Sequence, residues 1–170
     1  RSEPHSAIKF PPGSGPRHMS FHPREPWAYV VTELSNQIHC FDLSPEGNLV
    51  EKGMFNLLPE SYDGDSFAAD ILIDPSGKFL YATNRGHESI CVFKVSEKDG
   101  NLTYQEHVSS EGKFPWFLDI SDHGEFVLVA NQHSNNVVIF QRDLNRGSLS
   151  KFLEITDVES PVSARFLAIP

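Results

Sequence analysis

The same order of strand and turn signals recurs along this chain at a spacing of about 47–52 residues. When the copies are aligned, Phe21, Ile73 and Ile120 coincide, as do Phe41, Phe93 and Phe140, and Gly47, Gly100 and Gly147. Pro16, Ala68, Pro115 and Pro161 open successive units. Each complete unit holds four β-rich runs separated by Pro, Gly, Asn and Asp turns. No stretch sustains a 3.6-residue period, so almost no helix is expected. Four strands at a period of roughly 40–50 mark a β-propeller blade. The expected fold is all-β, a β-propeller of four-stranded blades. Units are expected at residues 15–66, 67–113 and 114–160, with the start of a fourth at 161–170. An evenly spaced β-sandwich is the alternative, but it does not require turn residues to coincide from unit to unit.

Local chemistry sets the expected strands. Residues 19–21, 28–31, 38–43 and 49–55 serve the first unit, 69–73, 79–83, 90–95 and 102–108 the second, and 117–120, 126–130, 137–141 and 149–155 the third. Residues 7–10 suffice for one short strand ahead of them, before Pro11 and Pro12. Asp74-Pro75-Ser76-Gly77 is a turn with a mechanism, because proline presets φ and glycine tolerates its positive values.

Composition narrows the function. With 170 residues and 39% hydrophobic content the chain can bury a core of its own. A net charge of −9 argues against a nucleic-acid partner, which calls for a basic face. No apolar run of about 18 residues is present, so no membrane partner is expected. No signal peptide is visible; the start at Arg1, without Met, leaves a processed or truncated beginning open. Cys40 and Cys91 lie in β-rich runs outside any CxxC spacing, and read as small buried hydrophobes in a reducing, cytoplasmic setting. Met19, Trp27 and Trp116 read as core or interblade packing, and Glu46, Glu51 and Glu97 as solvated charges.

The candidate site comes from the columns that do not repeat. In an antiparallel pair the start of one strand lies beside the end of the next. Arg17, Ala69, Trp116 and Val162 share one column at the entry to the first strand of each unit, and His18, Asp70 and Phe117 share the next. Glu33, Arg85 and Gln132 share a third column, at the exit from the second strand. All three columns fall at one mouth of a central channel. Arg17, Glu33 and Arg85 therefore place two cations and one carboxylate there, with His18, Asp70 and Gln132 as candidate substrate-binding neighbours. Planar guanidinium groups favour carboxylate and phosphate oxygens, and the carboxylate could carry a proton. A salt-bridged rim that only staples adjacent blades fits the same columns. Among the eight histidines, His18 and His22 are four apart on a strand and turn, and His87 and His133 occupy equivalent loops. None forms a metal-ligand spacing. No metal or other cofactor is expected; GxSxG, P-loop and dinucleotide-binding patterns are absent from the sequence.

Gly15-Pro16-Arg17-His18-Met19, with Phe21-His22-Pro23, Tyr29 and Glu33, resembles the propeller-type lactonases. That family includes bacterial 6-phosphogluconolactonase and the fungal carboxy-cis,cis-muconate lactonizing enzyme. Ala68-Ala69-Asp70-Ile71, Asp74-Pro75-Ser76-Gly77 with Leu80-Tyr81, Asn84-Arg85 and Val92-Phe93 resemble later motifs of the same family. The resemblance implies a seven-bladed propeller that opens an anionic sugar lactone, such as 6-phosphogluconolactone, without a metal. Arg17 and Arg85 would hold the anion and stabilise the oxyanion, with Glu33 as the acid/base candidate. Its motifs belong to the later part of the family pattern, and the family's histidine on an earlier blade has no counterpart here. The implied chain is a C-terminal portion of a longer enzyme, or one that closes a ring by self-association or with the missing propeller half, or a divergent partial propeller. A muconate-type cycloisomerase and a non-catalytic binding module remain the alternative functions.

Overall fold

Twelve strands form among residues 7–167, the part of the chain that the computed structural model describes. Strands β1 (Pro16–Phe21), β2 (Trp27–Thr32), β3 (Gln37–Leu43) and β4 (Leu49–Asn56) pair in that order as one antiparallel sheet. Strands β5 (Phe67–Ile73), β6 (Phe79–Arg85), β7 (Ser89–Val95) and β8 (Leu102–Ser109) form a second. Strands β9 (Pro115–Ile120), β10 (Phe126–Asn131), β11 (Asn136–Arg142) and β12 (Leu149–Ile155) form a third. The sheets are blades of a partial propeller, as the repeat predicts. The only helical turn among the described residues is the 3-10 turn Gln132–Ser134.

Alternation along the middle strands makes the core. In the second blade, Leu80, Ala82, Cys91 and Phe93 pack against Trp27, Tyr29, Val31, Ile38 and Cys40 of the first. The residues between them, Phe79, Tyr81, Ile90 and Val92, pack against Leu118, Val127, Val129, Val138 and Phe140 of the third. Burial on both faces explains why β6 and β7 read as near-continuous apolar runs. Phe41, Phe93 and Phe140 are each 1% exposed, and burying such a side chain contributes roughly 2–3 kcal/mol. Cys40 and Cys91 are free and buried, as the sequence suggested.

Repeated polar contacts join the blades. Tyr29 Oη donates to the Gly100 carbonyl at 2.8 Å, and Tyr81 Oη to that of Gly147 at 2.7 Å. Gly100 and Gly147 have φ of +68° and +74°. A Cβ there would meet the Trp27 ring at 2.4 Å or the Phe79 ring at 2.3 Å, so the repeated glycine serves both the turn and the interblade contact. Tyr81→Phe leaves the Gly147 carbonyl without its buried donor and is expected to cost about 1–2 kcal/mol, read as a lowered urea midpoint. An unchanged midpoint would contradict the clasp.

Four sequence expectations need adjustment. First, the inner strands β1, β5 and β9 begin two or three residues earlier than predicted. Pro16, Ala68 and Pro115 pair with Thr32, Asn84 and Asn131, and each ladder then shifts register. A bulge hides this continuation from period-2 reading, because its extra residue breaks the alternation. Second, residues 7–10 form no strand; Ile8 and Phe10 instead lie on Ala28, Val30 and Phe41 of the first blade. Third, residues 161–167 join no ladder. They nevertheless follow the course of a fourth inner strand: Phe166 N donates to Asp119 Oδ2 at 2.8 Å, just as Ile73 N donates to Ser20 Oγ at 3.1 Å in the equivalent columns. Fourth, Glu51 is not simply a solvated charge, since its Oε1 lies 2.5 Å from Nδ1 of the buried His39.

Burial also sets a pH response. The Cys40 and Cys91 thiols are pushed up to about 12 from 9.0, chiefly by desolvation. Burial likewise raises the Tyr29 and Tyr81 phenols. Because these groups hold protons more tightly when folded, their contribution is complete below the unfolded thiol's value and is lost as pH rises toward 12. Thermal melts should therefore decline from about pH 9 upward. Iodoacetamide should label neither cysteine in the native chain at pH 8; labelling without unfolding would contradict this burial. No helix among the described residues is long and apolar enough to cross a membrane.

Candidate active site

Each charged group at the mouth is positioned by its backbone. Arg17 is the extra residue of the β1 bulge, between Pro16 and His18. Bulges re-aim side chains, and this one brings Arg17 toward the second blade, where Nη1 donates to the Ala69 carbonyl at 2.5 Å. Glu33 follows β2 directly. Its N–H donates to Gly15 O at 2.7 Å and its carbonyl accepts from Ala68 N at 3.1 Å, so its backbone is held from both sides. Arg85 ends β6 and is 3% exposed.

The three side chains meet. Arg85 Nη2 donates to Glu33 Oε1 at 2.5 Å and to Ala68 O at 3.2 Å, while Nε donates to Phe67 O at 3.2 Å. Arg17 Nε lies 3.8 Å from Glu33 Oε2, a loose contact. Burial, and then the neighbouring Arg85 charge, lower the Arg17 pKa from its ordinary value. Among the described residues, Arg85 Nη1 and Arg17 Nη2 donate to no protein acceptor, so each guanidinium retains donors for a ligand.

His18 and Asp70 continue the line. His18 Nδ1 lies 2.6 Å from Asp70 Oδ1, and His18 Nε2 lies 3.2 Å from Arg17 Nη1. Arg17 Nη1 also lies 3.4 Å from His18 Nδ1, so the guanidinium sits across the imidazole and touches both ring nitrogens. Asp70 is also committed to structure, accepting from Ile71 N and from Leu118 N of the third blade, both at 2.9 Å. A groove beside the cluster is lined by His18, Asp70, Leu118, Asp119 and Arg165. A separate depression lined by His22, Arg24, Ser76 and Lys78 belongs to the turns at the opposite end of the blades.

Arg17, Glu33, Arg85, His18 and Asp70 thus come together. Gln132 does not join them through its side chain; its N–H donates to Phe114 O at 3.1 Å. Sequence reasoning missed the aromatic members. Trp116, expected as packing, has both guanidinium groups near its ring, with Cζ of Arg85 at 4.4 Å and of Arg17 at 5.3 Å. Phe114 lies 5.9 Å from Trp116 and stacks on His133 at 4.1 Å. The signal was present in the column that Trp116 shares with Arg17. His87 belongs elsewhere, with Tyr62 and His107, and burial lowers its pKa. Among the described residues no three His, Cys, Asp or Glu side chains form a group suited to a metal ion.

The family model described as "Lactonase, 7-bladed beta-propeller" matches residues 1–166. The 6-phosphogluconolactonase of Bacillus subtilis (strain 168) is 37% identical over 159 residues, covering 93% of this chain and 46% of that relative. The 6-phosphogluconolactonase of Formosa agariphila is 43% identical over 147 residues, covering 85% of this chain and 41% of the relative. The solved periplasmic gluconolactonase PpgL of Pseudomonas aeruginosa superposes with a TM-score of 0.90 at 35% identity, over 96% of this chain and 45% of that one. The chain therefore spans less than half the length of these relatives.

Proposed function

Since the chain belongs to the lactonase family of seven-bladed β-propellers, we propose that it carries the anion-holding and proton-handling mouth of an enzyme that hydrolyses an anionic sugar lactone. 6-Phosphogluconolactone is the substrate that the similar proteins named 6-phosphogluconolactonase suggest. The observation that carries this reading is Glu33 lying against Arg85 and beside Arg17, with donors of both guanidinium groups left over.

The chemistry follows from that arrangement. A spare guanidinium donor faces the lactone carbonyl oxygen and stabilises the charge that develops there. Water attacks the carbonyl carbon and gives a proton to Glu33 Oε2, the oxygen with the looser arginine contact. Collapse of the tetrahedral intermediate breaks the bond to the ring oxygen, which takes that proton and leaves as a hydroxyl. Lactone and water become the hydroxy acid, and Glu33 returns to its starting state. Asp70 fixes the His18 ring, which lies against the Arg17 guanidinium. The reading keeps the cytoplasmic placement, supported by two buried, unpaired cysteines.

The test is turnover by the chain as it stands. 6-Phosphogluconolactone is added in a pH-stat and the spontaneous rate subtracted. Acid release above background is expected. Background release alone, with 6-phosphogluconate still binding in a titration, overturns the catalytic reading and leaves a binding module.

A further inference from the structure

We infer that Trp116 is a specificity-determining residue: an aromatic shelf that packs against the ring face of a cyclic ligand whose anionic group is held by Arg17 and Arg85. This rests on the anion-binding reading above and narrows its ligand class to cyclic sugar phosphates or sugar lactones over open-chain anions.

Pro115 pairs with Asn131 and Phe117 with Ala130, so Trp116 is the extra residue of the β9 bulge, as Arg17 is of the β1 bulge. The same backbone device that aims a cation at the mouth from the first blade aims an indole at it from the third. Trp116 belongs to none of the apolar interblade clusters and keeps part of its surface exposed. Arg85 Cζ at 4.4 Å and Arg17 Cζ at 5.3 Å lie over the ring, so the surface offered to a ligand is the part of the indole that these two groups leave exposed.

Phe114 adopts φ +63°, a conformation costly for an aromatic residue. It is held there by Glu88 Oε2, which accepts its N–H at 2.5 Å, and by the stack on His133. Phe114 in turn flanks Trp116 and lies 5.4 Å from Arg85 Cζ. The outcome is a run of aromatic rings beside two cations with free donors. A pyranose or lactone ring offers a C–H face to an aromatic plane while its phosphate or carboxylate meets the arginines. An extended polyol chain offers no such face.

The experiment titrates the whole chain with three probes: inorganic phosphate, open-chain 6-phosphogluconate and cyclic glucose 6-phosphate. Binding is read by calorimetry and by the indole N–H resonances of Trp27 and Trp116, the only two tryptophans. Glucose 6-phosphate is expected to bind about tenfold more tightly than inorganic phosphate, and to shift the Trp116 resonance but not that of Trp27. Trp116→Ala should erase this preference, and Trp116→Phe should retain most of it. Equal affinity for cyclic and open-chain probes, or an unmoved Trp116 resonance in the unmodified chain, overturns the shelf even if Trp116→Ala fails to fold. Absence of phosphate binding altogether overturns the anion-binding reading itself, and the shelf with it.

Discussion

Arg85→Met is expected to destabilise the chain by about 3–5 kcal/mol and to abolish anion binding at the mouth. The size follows from what the guanidinium satisfies. Arg85 is 3% exposed and serves the carbonyls of Phe67 and Ala68 together with the Glu33 carboxylate. Methionine fills the stem but leaves two carbonyls without their donor and a carboxylate without its nearest counterion. Glu33→Gln should cost less, because the Glu33 side chain is 33% exposed and water can replace part of what is lost. Arg85→Lys keeps the charge but loses the planar fork, so it should recover part of the stability without restoring the geometry. Urea midpoints with unchanged m-values measure these differences, and phosphate titration measures the anion site. A loss below about 1 kcal/mol for Arg85→Met would mean that the pair is only a rim contact.

What was legible in the sequence was whatever repeats or follows from strand direction. Gly100 and Gly147 announced the blade because turn chemistry is local, and Phe41, Phe93 and Phe140 marked one buried position in each blade. The meeting of Arg17, Glu33 and Arg85 was also legible, since antiparallel pairing brings strand entries beside strand exits and the repeat brings the blades side by side. Local reading could not supply the bulges, because they are properties of a ladder rather than of a residue. Without them the aim of Arg17 and Trp116 stayed hidden. Nor could it show that Asp70 is bound to Leu118 N on the next blade, which makes a candidate ligand-binding carboxylate also an interblade staple. Gln132 shared the column of Glu33 and Arg85, yet the 3-10 turn that begins there carries it out of the strand geometry that the column assumed.

At the opposite end of the blades the largest effect on stability is expected from Asp74→Ala, about 3–5 kcal/mol. Asp74 is fully buried in the turn between β5 and β6. Its Oδ1 accepts from Phe79 N at 2.8 Å and its Oδ2 from Ser76 N at 3.1 Å, and Arg142 Nη2 forms an ion pair with Oδ2 at 3.1 Å. Ser76 Oγ donates to the same Oδ2. One carboxylate therefore shapes a turn of the second blade and neutralises a buried cation of the third. The neighbouring blade junction manages without such a pair: Val95 stands where Arg142 stands, and His22 Nε2 lies 3.1 Å from the Gly77 carbonyl. The ion pair is thus a local solution rather than a requirement of the repeat, and its two halves should be unequal. Arg142→Leu removes a cation whose Nη1 already has no hydrogen-bond partner, and it leaves Asp74 with its three turn donors. Asp74→Ala strands that cation and uncaps the turn together. Arg142→Leu should therefore cost clearly less than Asp74→Ala, and the double variant less than the sum of the two. Equal losses for the two single variants, measured by urea unfolding, would show that the carboxylate acts only as a counterion and that the turn does not depend on it.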